Sequence, residues 1–292
     1  MNSSTKKRSA TSTRRASWVG GTATAALALL SVGGAAAGLW KLLGISWVAF
    51  AAMGGGAWLG ARAAGRHARG LVWSYGITSG AMMTSCAVFL IPPAIGHGAA
   101  AGGFGIALGL VTGVAVHTAG HLLTHEERLP FAPVLVELTA HALAAGTVIG
   151  VVYASMPTLG GLLGLGIVSH KGPAGYAAAR RLARRGRRVS VLLAPAAAVG
   201  LTALPAGLLA LPAAATVNGL VFGFAAGVFL HMAMDFLPRC EIGGDIYEVA
   251  ALAGDGEGDE AHRRLDRLRR HAAASTALGG LIVFGLWAAL AA

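Results

Sequence analysis

Residues 180–211 read RRLARRGRRVSVLLAPAAAVGLTALPAGLLAL, and residues 217–238 follow as VNGLVFGFAAGVFLHMAMDFLP. Six arginines precede a 23-residue run (189–211) without a single charge. A short break separates it from a second run of similar length, whose only acid is Asp235. A stretch of about 20 apolar residues is the length that crosses about 30 Å of hydrocarbon as a helix. The break at 212–216 is so short that the two spans form an antiparallel hairpin.

The same pattern extends in both directions. Apolar segments occur at 18–39, 45–61, 71–93, 100–120, 132–155, 159–179, 189–211, 217–238 and 274–291. Whole-chain composition agrees: hydrophobic residues are 55% and charged residues 12% of 292 positions, and mean hydropathy is +0.66. A soluble domain carries about a quarter of its residues as charges. The 44 glycines suit helices that approach backbone to backbone in lipid, where small residues replace the hydrophobic drive. The expected fold is therefore an all-α polytopic membrane protein. Cys86 and Cys240 are too few for a disulfide framework and lack metal-ligand spacing to a second cysteine.

The net charge of +11 is a topological signal and not a sign of nucleic-acid binding. With a cytoplasmic N-terminus and alternating spans, the inside segments hold Lys6, Lys7, Arg8, Arg14 and Arg15; Arg62, Arg66 and Arg69; Arg128; Arg180, Arg181, Arg184, Arg185, Arg187 and Arg188; and Arg239, Arg263, Arg264, Arg267, Arg269 and Arg270. These are 21 of the 23 cations, with Lys41 outside and Lys171 within a span. Such asymmetry follows the positive-inside rule and places the C-terminus outside. Residues 1–17 form a basic cytoplasmic tail. Residues 18–40 are a transmembrane helix, or alternatively a signal peptide, given the basic head and the small residues Ala35-Ala36-Ala37. Residues 239–272 are a charged cytoplasmic loop with a short amphipathic helix around 259–271.

Ionisable groups at bilayer depth are costly and mark function. Few occur here: His117, Glu137, His141, His170, Lys171, His231 and Asp235, with His121 at an edge. Glu137 and His141, His231 and Asp235, and His117 and His121 are each four apart, so each pair shares a helix face. Imidazole and carboxylate together suit a first-row divalent metal. A lone histidine such as His117 can equally bond a backbone carbonyl. Lys171 cannot bind a cation, and reads as a counter-ion to a carboxylate such as Glu137. His170 lies in Ser169-His170-Lys171-Gly172-Pro173-Ala174-Gly175, where Pro173 would break the bond to the carbonyl of Ser169 and kink the helix. A freed carbonyl beside a histidine is one way to build an ion site in a membrane.

These residues resemble the ZIP (Zrt/Irt-like) metal-ion transporters over roughly 45–291. His141-Ala142-Leu143-Ala144-Ala145-Gly146 matches the position of the family's His-x-x-x-acid-Gly pattern in its fourth helix. His170 to Gly175 matches the motif ending Pro-acid-Gly in its fifth. Phe222 to Pro238 is similar to its seventh helix, Leu90-Ile91-Pro92-Pro93 to the end of its second, and the stretch with His121, His125, Glu126 and Glu127 to its histidine-rich cytoplasmic loop. The resemblance implies an eight-helix bundle, here with an extra N-terminal helix, and a metal site between the helices at 132–155 and 159–179. It departs where the family's acids are Ala145 and Ala174, and where Lys171 replaces an acid that often binds a second metal.

The expected function is secondary transport of a divalent transition metal, zinc first and iron or manganese as alternatives, across the cell membrane. Its ligands would be His141 and His170 with Glu137, and His231 and Asp235 would line or complete the site. The rival is a non-transporting ZIP-like protein, a metal sensor or scaffold. The expected partners are the ion and the lipid bilayer, with a homodimer left open and no nucleic acid. No enzyme activity or cofactor is expected: Ser85 or Ser169 near a histidine is too generic for a protease, and no phosphate-binding glycine loop is present.

Overall fold

The computed structural model describes residues 3–63, 68–125, 133–155, 164, 168, 170–184, 186–209, 214–238, 240 and 259–291; the side chains of 3–17, 120–125, 133–134, 137, 155, 184, 259–262 and 290–291 are outside the description. Every described element is helical. Among the described residues, seven helices are long and apolar enough to cross a membrane, and Leu138–Ala154 is a further, shorter apolar stretch. The chain is an all-α, multi-pass membrane protein.

The helices are α1 (Ser3–Ala36), α2 (Trp40–Arg62), α3 (Ala68–Ser85), α4 (Ile91–Gly96), α5 (Ala99–His125), α6 (Pro133–Ser155), α7 (Lys171–Arg184), α8 (Leu193–Ala206), α9 (Ala215–Asp235) and α10 (Asp259–Ala291). Between α1 and α2 the chain reverses at Gly38, whose φ of 73° is open to glycine without strain. The Leu39 amide donates to the Gly34 carbonyl at 2.9 Å and the Gly38 amide to the Ala35 carbonyl at 3.1 Å, which satisfies the last carbonyls of α1. A π-helical turn, Cys86–Leu90, joins α3 to α4. Pro92 and Pro93 follow it; they donate no bond, and their rings crowd the preceding turn. The wider π turn absorbs that mismatch.

Close helix contact runs through glycine. Gly56 and Gly60 of α2 meet Gly172 and Tyr176 of α7, Gly76 and Gly80 of α3 meet Ser275 and Thr276 of α10, and Gly146 and Gly150 of α6 meet Val199 and Ala203 of α8. Gly105, Gly109 and Gly113 of α5 meet Leu220, Phe224 and His231 of α9. In every pair the residue numbers rise together, so the paired helices are parallel. That is what strict alternation requires, because α2, α5, α7 and α9 then run one way and α3, α6, α8 and α10 the other. Leu27 of α1 is fully buried and lies against Gly200 of α8.

The core is built by α8 and α9 with inward residues of their neighbours, including Met53, Met82, Ile149, Phe222 and Phe229. Large apolar residues such as Phe104, Val111 and Leu281 point outward, as expected for helices solvated by lipid. One expectation changes. The amphipathic helix at 259–271 and the span at 274–291 are one helix, α10; no proline and no glycine before Gly279 interrupts it. The kink expected at Pro173 depends on residues 165–167 and 169, which lie outside the described residues; Pro173 itself follows the start of α7 at Lys171. It sits in the first turn, where amides have no intrahelical partner to lose. The hairpin expected at 156–158 lies outside the described residues.

Candidate metal centre

His141 lies eight residues into α6, about 12 Å from its start and somewhat further from its end. His170 is the residue immediately before α7. The two rings meet inside the bundle, with Nε2 of one 3.2 Å from Nε2 of the other. They are 4% and 1% exposed. Phe229 of α9 closes the pair from a third helix, 5.4 Å from the His141 ring and 5.6 Å from the His170 ring. Lys171 is also fully buried. The Ala174 amide donates to the His170 carbonyl at 3.1 Å, which ties the histidine to the start of α7.

A tetrahedral zinc with Zn–N bonds of 2.0–2.1 Å holds its two nitrogens about 3.3 Å apart. The pair is already at that separation. Without an ion, the same spacing is a hydrogen bond in which one imidazole donates and the other accepts. His141 Nδ1 is buried and has no hydrogen-bond partner among the described residues. Ala145 and Ala174, each four residues beyond one of the histidines and so on the same helix face, are buried. They supply methyl groups and no ligand atom.

A second cluster forms where α5 meets α9. His117 Nδ1 is 3.3 Å from Asp235 Oδ2, and His231 Nε2 is 3.2 Å from the same oxygen. The two rings are 5.8 Å apart and nearly perpendicular. The cause is a repeat in both helices. Gly105, Gly109, Gly113 and His117 follow at intervals of four, and so do Gly219, Gly223, Gly227, His231 and Asp235. Residues four apart share a face, so two glycine rows close the helices together and deliver one histidine from each to the same place. Asp235 is the last residue of α9, where the helix dipole disfavours a negative charge by about 0.3–1 kcal/mol. The carboxylate therefore gains from a positive partner.

No protein-family model and no curated protein matches this chain.

Of the residues singled out from sequence, the structure unites His141 with His170, and His231 with Asp235. Glu137 is in α6, but its side chain is outside the described ones, as are those of His121 and His125; the pairings expected of Glu137 with His141 and with Lys171 lie there too. His117 is joined to α9 and not only to its own helix. The matching glycine rows were the signal for that. A cavity of about 100 Å3 is lined by His117, His231 and Asp235 and also by His141, so it reaches from the second cluster to the edge of the first.

Proposed function

We propose that the chain is a ZIP-like secondary transporter that carries a divalent transition-metal cation, zinc first and iron or manganese as alternatives, across the cell membrane. The observation that carries this reading is the buried His141–His170 pair, whose nitrogens are 3.2 Å apart between helices deep in an apolar bundle. Neutral imidazole is a ligand for these metals, and buried polar pairs at membrane depth are rarely kept without use. The ion binds His141 and His170, with Glu137 one turn away on α6 as the nearest acid in sequence. On the cation distribution, the end of the bundle carrying Arg62 and Arg263 is cytoplasmic. His117, His231 and Asp235 sit toward that end.

The pair is buried in this conformation, so transport requires the helices around it to open alternately. Purified protein in liposomes should take up zinc, read by an entrapped zinc indicator. The double variant His141→Ala/His170→Ala should take up no more than empty liposomes. Unchanged uptake in that variant overturns the assignment.

One observation favours a second reading. Ala145 and Ala174 are buried methyl groups where bridging carboxylates would neutralise the ion, which suits a ZIP-like sensor or scaffold. Zinc bound at the pair without flux would select it.

A further inference from the structure

We propose that His117, His231 and Asp235 form a second divalent-metal site, separate from the buried pair, at the arginine-bearing mouth of the bundle. Its existence does not depend on transport; its place as the station through which ions reach or leave His141 rests on the transport reading.

Three observations carry it. The donor set is two imidazoles and one carboxylate from two helices, a set that zinc and iron accept with positions left for water or cargo. An ion 2.0–2.2 Å from each donor needs donor–donor edges of about 3.3 Å. Two edges are 3.3 and 3.2 Å, and all three ligand atoms lie within 4.8 Å of one another. A modest turn of one ring completes the site.

Access differs between the two clusters. The side chains of His117 and Asp235 are 34% and 22% exposed, whereas the inner pair is almost completely enclosed. The outer site is open to solvent in the conformation described here, and the inner pair is far less so. The cavity that links Asp235 to His141 gives an ion a short route between them once the inner pair opens. The outer site also brings a carboxylate, whereas the pair has Lys171 beside it.

The glycine rows make the site rigid. Two backbones in contact cannot slide without breaking the seam, and each histidine follows its row directly. A site preset by its scaffold needs little reorganisation on binding.

The experiment is a cobalt(II) titration of the purified full-length protein, with cobalt standing in for zinc, read by its visible absorption and by bound-metal stoichiometry. Wild type should bind two ions. His141→Ala/His170→Ala should keep one, and Asp235→Asn, which preserves shape, should lose one. His117→Gln should lose the same ion, which guards against a folding defect peculiar to either variant. Retention of both ions in Asp235→Asn and His117→Gln overturns this site and leaves the transport reading standing. Absence of zinc flux in wild type, with the Asp235-dependent ion still bound, overturns transport and leaves this site standing.

Discussion

Replacing Gly113 by alanine should disable the mouth site without touching a ligand. A Cβ built at Gly113 lies 2.6 Å from both Cγ and Cδ2 of His231 and 2.8 Å from its Cβ. Ordinary contact begins at 3.4 Å, so the overlap is about 0.8 Å. The atoms struck include the His231 Cβ, which a ring rotation cannot move aside. Either the imidazole or the whole of α9 must retreat by most of that distance. A metal–nitrogen bond tolerates about 0.2 Å, so His231 is lost as an effective ligand. Loss of ligand positioning typically costs 10- to 100-fold in metal affinity, and overpacking costs about 1–3 kcal/mol of stability. Gly103→Ala, also on α5 with nothing within 4 Å of its added Cβ, is the control. Cobalt(II) titration should show the mouth ion weakened at least about 10-fold in Gly113→Ala and unchanged in Gly103→Ala. Wild-type affinity in Gly113→Ala would refute the packing argument.

Further outcomes follow from the same structure. Ala145→Asp restores an acid at a buried position: without metal its melting temperature should fall, and saturating zinc at about 100 times Kd should return about 2.7 kcal/mol; a metal-independent melting temperature would show that position 145 does not face the ion. Gly227→Leu in the α5–α9 seam should give protein that aggregates on detergent extraction, measured by size-exclusion profile; a monodisperse wild-type peak would contradict the close approach at Ile106. Zinc uptake should fall as pH drops below about 6, because protonated imidazole cannot bind metal; a flat profile from pH 7 to 5 would argue against histidine ligands. Cys240 is held with Leu71, Val72, Leu265 and Leu268, and burial pushes its thiol above the ordinary value while Arg269 pulls it back. Maleimide should therefore label it slowly at neutral pH until denaturant is added; fast labelling of the folded protein would place it in water.

Seven of the nine expected spans are long apolar helices among the described residues; they were legible because the bilayer imposes length and forbids unsatisfied backbone, so apolar runs bounded by arginine admit few readings. The alternation of their directions was legible too, and the parallel glycine seams agree with it. Partner choice was harder. Gly105 and Gly219 are more than a hundred residues apart, and nothing in hydropathy says that α5 lies against α9. Only the shared interval of four, ending in histidine in both helices, carried that information. Spacing alone pairs His117 with His121 of its own helix and does not show its contact with Asp235 of α9. Proline signals a break in a helix interior but fits a first turn; Pro173 lies in the first turn of α7, and sequence alone did not show where α7 begins. His141 and His170 were placed by resemblance and by type. Their approach to 3.2 Å depends on Phe229 and on the crossing of three helices, which no local pattern records.

The most direct measurement is an anomalous-difference map at the zinc edge from the purified, zinc-loaded protein. The account predicts a peak between His141 and His170, about 2.0–2.1 Å from each Nε2. Zinc-loaded, transport-active protein with no peak at that pair would contradict it.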